Sequence, residues 1–115
     1  MRIVVPASGG TVDLVARAVI PGLQQALGQS VIADAKPGAS GNIAATLVAK
    51  SPGDGHTILT GFNPLVISTF LSKNLQYDLQ KDLKPITLGV TSEQVLVVNS
   101  EVSVSTLAEF VALAK

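Results

Sequence analysis

The sequence contains no cysteine, no tryptophan and one histidine. Its other aromatic residues are one tyrosine and three phenylalanines. Without cysteine it cannot form disulfides, thiolate zinc sites or iron–sulfur clusters, and it lacks a cysteine nucleophile. One histidine, His56, leaves little for imidazole catalysis or a histidine-rich metal site. We therefore expect no metal, no cofactor and no catalytic residues.

Charge is also scarce, since charged residues make up 14% of the chain and eight bases balance eight acids. This balance gives no electrostatic footprint for nucleic acid or for an acidic membrane surface. No apolar run approaches the ~20 residues that cross a bilayer. The first residues lack the pattern of a signal peptide, so we expect either a cytoplasmic chain or one cut to a mature start.

What the sequence has is a regular alternation of strand and helix patterns. Short apolar runs at 3–5, 31–33 and 57–60 predict strands, and the first is expected to be buried. Apolar residues at helical spacing predict helices over 11–28 and 43–50. Strand, helix, strand, helix, strand in about sixty residues indicates a parallel sheet with crossover helices, an α/β fold.

The second half of the sequence is less regular. A short helix is predicted over 64–71, followed by a polar surface loop over 72–84. Two strand-like runs come next, at 85–90 and 94–98, and a capping-box pattern at Thr106 opens a last helix. That helix reaches the final residue without a stop signal, so we expect an interrupted architecture.

Three glycine-rich loops, at 7–11, 36–42 and 61–63, follow the carboxyl ends of the three predicted parallel strands. Ligands bind at this edge of open α/β sheets, where helix N-termini present unpaired N–H groups with partial positive charge. Glycine lets backbone amides approach a ligand closely. The loops together predict a site for an anion, either a carboxylate or a phosphate.

Each loop alone is more often an ordinary turn than a binding site. His56 is best interpreted as a solvated residue at a strand edge, and Asp13 as a capping carboxylate in the first helical turn. Neither a Walker A lysine pattern nor a full Gly-x-Gly-x-x-Gly is present, so nucleotide binding is weakly supported.

Five short motifs are weak singly and specific in their order and spacing. They are Gly9-Gly10-Thr11-Val12-Asp13, Lys36-Pro37-Gly38-Ala39-Ser40-Gly41-Asn42, Asp54-Gly55-His56-Thr57, Tyr77-Asp78 and Leu96-Val97-Val98-Asn99. Together they resemble the solute receptors of tripartite tricarboxylate transporters, also called Bug receptors. The first loop is one residue shorter than the usual family loop and lacks its aromatic residue.

The resemblance implies a parallel-sheet lobe of a type II periplasmic-binding-protein-like fold, incomplete, with a crossover to a missing second lobe. Residues 1–90 would form the ligand-binding part of the first lobe. Residues 91–103 would be a hinge-like strand crossover, and 104–115 the start of a second-lobe helix. The chain would then be a truncated form of a longer receptor.

The resemblance further implies a periplasmic, non-enzymatic receptor that captures a small carboxylate, such as a dicarboxylate, tricarboxylate or acidic amino acid, for a membrane permease. Family positions carried over to this chain give ten ligand-binding residues. They are Ser8, Gly9, Gly10, Thr11, Ser40, Gly41, Asn42, Gly61, Phe62 and Asn63.

Two alternatives stay open at this point. The chain could be the nucleotide- or phosphate-binding fragment of an α/β enzyme, or a truncated oligomerising remnant that binds no ligand. A partial sheet leaves an unpaired edge and uncovered apolar faces, which commonly drive association. We therefore expect a homo-oligomer.

Overall fold

A computed structural model describes residues 1–114 and shows a small parallel sheet with helices packed against it. The strands are β1 (Arg2–Val5), β2 (Ile32–Ala35) and β3 (Thr57–Leu59). They lie in the order β2-β1-β3, and β1 pairs in parallel with both neighbours. The predicted parallel arrangement is confirmed.

Within residues 1–114 four α-helices accompany the strands: α1 (Gly10–Leu27), α2 (Asn42–Ala49), α3 (Asn63–Leu71) and α4 (Leu107–Leu113). The predicted helix bounds hold to within about two residues. Gly28 ends α1 in the left-handed conformation, where its N–H donates to the Gln24 carbonyl at 3.0 Å. The capping box that was predicted at the start of α4 forms both of its hydrogen bonds.

The central strand forms the core of the sheet. Ile3, Val4 and Val5 are no more than 2% exposed, as expected for a β-branched run covered on both faces. Ile3 and Val5 pack with Ala16 of α1 and with Val31. Because side chains alternate along a strand, Val4 points to the opposite face of the sheet.

The prediction of strands at 85–90 and 94–98 is wrong, since no residue from 85 to 98 is in a strand. An extended run becomes a strand only when a neighbour accepts its backbone hydrogen bonds, and β2 and β3 pair only with β1. Apolar side chains in this segment are exposed, Leu88 by 77% and Val97 by 79%. We call residues 85–114 the arm. The arm increases the radius of gyration of the chain to 18.0 Å, whereas a compact domain of 100 residues has a radius of gyration of about 13 Å.

The connection over residues 72–84 has no regular structure, as predicted, but it is not simply a surface loop. Tyr77 in its middle is only 7% exposed and packs with Ala45 and Leu65. Within residues 1–114, no helix is both long and apolar enough to cross a membrane. The last residue of the predicted final helix, at position 115, lies outside the described residues.

Candidate functional site

The first loop leaves β1 at the buried Pro6 and becomes exposed from Ser8 to Thr11. Gly9 and Gly10 both have positive φ, of 78° and 74°. A side chain is strained in this conformation, whereas glycine adopts it freely. A Cβ atom added at either glycine would meet no atom within 4 Å, so the backbone here lies open to an approaching ligand.

One amide of this loop already has a partner. The Gly9 N–H donates to Asp13 Oδ2 at 3.2 Å, and Asp13 Oδ1 accepts from Arg17 Nε at 2.9 Å. The hydrogen bond from Arg17 lowers the pKa of Asp13, and the Gly9 amide lowers it further. Asp13 caps the start of α1, as predicted, and a ligand that uses the Gly9 amide must compete with this carboxylate.

The second loop is an unusual turn of four consecutive residues with positive φ. These are Gly38 (122°), Ala39 (48°), Ser40 (54°) and Gly41 (88°). Two of them carry a Cβ, and a residue other than glycine in this region is strained. Such strain persists only where the surrounding structure holds the backbone in place. The turn delivers the chain into α2 at Asn42.

Gly41 lies where the second loop packs against the third loop and against the residue that leads into the first. It is buried, and a Cβ added to it would lie 2.6 Å from Phe62 Cε1, 3.0 Å from Pro6 Cβ and 3.1 Å from Leu65 Cδ2. Pro6 directly precedes the first loop, and Phe62 belongs to the third. The side-by-side order of the strands therefore brings all three predicted loops to one edge of the sheet, at the starts of α1, α2 and α3.

One cationic side chain at this edge already has an acidic partner. Lys36, which follows β2, lies 3.1 Å from Asp34 Oδ1. Asp34 Oδ2 also lies 3.6 Å from Arg2, the residue at the opposite, amino-terminal end of β1. Among residues 1–114, no cluster of histidine, aspartate and glutamate side chains could hold a metal ion. What the edge offers an anion is backbone N–H groups and hydroxyls, together with the positive ends of the helices.

The ten predicted ligand-binding residues lie in these three loops, but they differ in their exposure to solvent. Seven of them are exposed at the edge: Ser8, Gly9, Gly10, Thr11, Ser40, Gly61 and Asn63. Gly41 is buried, and Phe62 is half-buried with its ring against the space beside Gly41. Asn42 is half-buried with both ends of its amide engaged in hydrogen bonds inside the protein.

Sequence reasoning missed the partners of Asn42. Tyr77 Oη donates to Asn42 Oδ1 at 2.8 Å, and Asn42 Nδ2 donates to Ser68 Oγ at 3.2 Å. A signal was present in the sequence, because Leu75, Tyr77 and Leu79 alternate through an otherwise polar stretch. Such alternation indicates one face turned toward the interior.

The sequence of this chain is similar to those of a known protein family. Residues 15–115 match the family described as "Tripartite tricarboxylate transporter family receptor". A UPF0065 protein of Bordetella bronchiseptica is 42% identical over the whole chain, and protein BugT of Bordetella pertussis is 32% identical. The chain spans 35% and 36% of their lengths, about a third.

Two solved structures share the fold. "R. palustris Rpa4515 with adipate" superimposes with a TM-score of 0.77 at 34% identity, over 98% of this chain and 38% of its own. "MatC (Rpa3494) from Rhodopseudomonas palustris with bound malate" gives a TM-score of 0.66 at 36% identity, over 76% of this chain and 31% of its own. The predicted fold class, a parallel-sheet α/β lobe of the periplasmic-binding-protein kind, is confirmed.

Proposed function

This chain belongs to the receptor family of tripartite tricarboxylate transporters, and from that premise we propose that it binds a small carboxylate as part of a periplasmic solute receptor. The ligand class is a dicarboxylate, tricarboxylate or acidic amino acid. The partner is the membrane permease of the transport system, and the receptor is not an enzyme. Residues 1–90 form the binding part, 91–103 the crossover and 104–115 the start of a second-lobe helix.

The observation that carries this proposal is the meeting of three helix starts at one sheet edge. Gly9 and Gly10 lie open in the first loop, and the second and third loops close against each other at Gly41. Backbone N–H groups in the first turn of a helix have no carbonyl partner within the helix. A ligand carboxylate supplies the missing acceptors and is favoured by the helix dipoles.

The related structures support a carboxylate over other anions. Adipate and malate, the molecules named with those two neighbours, are both dicarboxylates. Lys36 is paired with Asp34, and the first loop offers a ligand its backbone amides together with the hydroxyls of the exposed Ser8 and Thr11. Bridging water can complete such a site, since an ordered water costs only about 0–2 kcal/mol of entropy.

A calorimetric titration of the 115-residue chain with adipate and with malate tests the proposal. Adipamide, the neutral diamide of adipate, is the matched control because it keeps the length and removes the charge. We expect saturable heat with at least one dicarboxylate and none with adipamide. Equal binding of adipate and adipamide, or binding of nucleotides alone, would contradict a carboxylate receptor.

We further propose that this chain forms a homo-oligomer through its arm. The support is the exposed apolar surface of the arm, where Val95 and Val97 are 80% and 79% exposed. Exposed strand-like segments pair readily with other chains. Light scattering coupled to size exclusion should give a mass above the 11.8 kDa of one chain. Replacing Val95 and Val97 by lysine should return it to a monomer, whereas a wild-type monomer at about 50 μM, well within the range where exposed surfaces associate, would contradict this proposal.

A further inference from the structure

A buried polar contact ties the connection after α3 to the start of α2. Tyr77 lies in that connection, 35 residues beyond Asn42 in sequence, and its hydroxyl donates to Asn42 Oδ1 at 2.8 Å. The Tyr77 ring is 7% exposed and packs on Ala45, one turn into α2, and on Leu65 of α3. The hydroxyl therefore reaches Asn42 from a ring that is itself held in place.

Asn42 is held from its other end by α3. Its Nδ2 donates to Ser68 Oγ at 3.2 Å, and Ser68 is only 6% exposed. A side-chain amide has distinct donor and acceptor ends, and here the acceptor faces Tyr77 while the donor faces Ser68. The two contacts fix the orientation of the amide, and Asn42 is the first residue of α2.

The residues just before Asn42 are those with the strained backbone. Ala39 and Ser40 have φ of 48° and 54°, and Gly41 follows at 88°. A strained turn stays in place only if its surroundings over-determine it. Packing of Gly41 against Phe62 restrains the turn from one side. The contacts of Asn42 restrain the residue that immediately follows.

We propose that Tyr77 and Ser68 are positioning residues for the carboxylate site, which hold Asn42 so that the first N–H groups of α2 face the ligand. This inference rests on the proposed function. The side chain of Asn42 then serves the ligand indirectly, by fixing its own backbone. A free tyrosine has a pKa near 10 and is a donor throughout the physiological range, and burial raises the pKa of Tyr77 further.

The Tyr77→Phe variant tests the proposal, because it removes the hydroxyl and keeps the packed ring. Thr69→Val is the matched control: Thr69 is the neighbour of Ser68 on α3, and its hydroxyl donates only within its own helix, to the Val66 carbonyl at 2.7 Å. We expect Tyr77→Phe to weaken adipate binding by about 3- to 10-fold, the range for loss of one hydrogen bond. Thr69→Val should bind as the wild type does.

A second measurement is independent of ligand. In an α-helix the Thr46 N–H bonds to the Asn42 carbonyl, so that its hydrogen exchange reports on how firmly the start of α2 is held. We expect exchange at Thr46 in the ligand-free protein to be several-fold faster in Tyr77→Phe and unchanged in Thr69→Val.

The single tyrosine and the absence of tryptophan give a spectroscopic signature as well. Because Tyr77 is the only such fluorophore, adipate should change its emission in the wild type, and Ser68→Ala should reduce that change. A wild type that binds no dicarboxylate would contradict the proposed function. A binding wild type beside a Tyr77→Phe variant with unchanged affinity and unchanged Thr46 exchange would overturn the positioning role alone.

Discussion

The first and second loops use glycine for opposite purposes. Gly10 lies at the surface with no atom within 4 Å of where a Cβ would stand, whereas the same atom on Gly41 would lie 2.6 Å from Phe62. Both residues have positive φ. The first loop leaves its backbone open to a ligand, and the second is closed by packing and by the contacts of Asn42. We therefore expect the exposed glycine loop to contact the ligand and the buried one to hold the site together.

Among the variants that test this contrast, Gly41→Ala should have the largest effect on stability. The added methyl group would overlap the Phe62 ring and stand at a φ of 88°. Overpacking costs about 1–3 kcal/mol and the left-handed conformation about 1–2 kcal/mol, so we expect about 2–5 kcal/mol of lost stability in urea unfolding followed by circular dichroism. Stability within about 0.5 kcal/mol of wild type, the usual range for surface changes, would mean that Gly41 is not the packed junction.

Gly10→Val is expected to act mainly on binding. The side chain would enter open space and cover the loop backbone, while the φ of 74° costs about 1–2 kcal/mol of stability. Gly10→Asn separates these effects, because asparagine tolerates the left-handed region. Calorimetry should show adipate affinity reduced about tenfold or more in both variants, with stability lost chiefly in the valine variant. Retained affinity in both would remove the first loop from the site.

Alkaline pH should destabilise the packing of Tyr77 beside the second loop. Burial raises the pKa of Tyr77 in the folded chain, above the value near 10 of a free tyrosine. The resulting stability is complete below about pH 10 and is lost as pH rises through the folded pKa. Urea midpoints from about pH 8 to 11, which bracket that value, should therefore fall more steeply for the wild type than for Tyr77→Phe. Parallel curves for the two proteins would show that Tyr77 is not buried.

Gly22→Ala supplies the smallest effect and a control for glycine replacement itself. Gly22 lies within α1, its added Cβ would contact nothing within 4 Å, and its φ is not positive. Alanine should stabilise the helix by about 0.5–1 kcal/mol and leave adipate binding unchanged. A loss of binding in this variant would show that any glycine substitution disturbs the site, and the contrast between the two loops would lose its meaning.

Local patterns were enough to predict the sheet, helices α1 to α4 and the edge of the sheet where the loops lie. Ile3 to Val5 is a β-branched run that ends at a proline, and Gly28 ends a helix by a conformation that glycine favours. These signals lie within a few residues of the structure they determine. The parallel arrangement followed from their alternation along the chain.

Long-range contacts were not predictable in the same way. The runs at 85–98 have strand composition, yet strand formation depends on a pairing partner that composition does not supply. The engagement of Asn42 likewise depends on Tyr77 and Ser68, which are 35 and 26 residues away. Asn42 was predicted to be a ligand donor from its place in a motif, and the structure places its amide against these interior partners.

Glycine-selective ¹⁵N labelling would test the central claim most directly, because the ten glycines sample both the site and the rest of the fold. On titration with adipate, the amide resonances of Gly9, Gly10, Gly41 and Gly61 should shift in a saturable way. Those of Gly22, Gly28 and Gly53 should stay in place, and adipamide should shift none of them. Adipate shifts confined to glycines outside the three loops, or no shifts at all, would contradict carboxylate capture by the backbone amides of this edge.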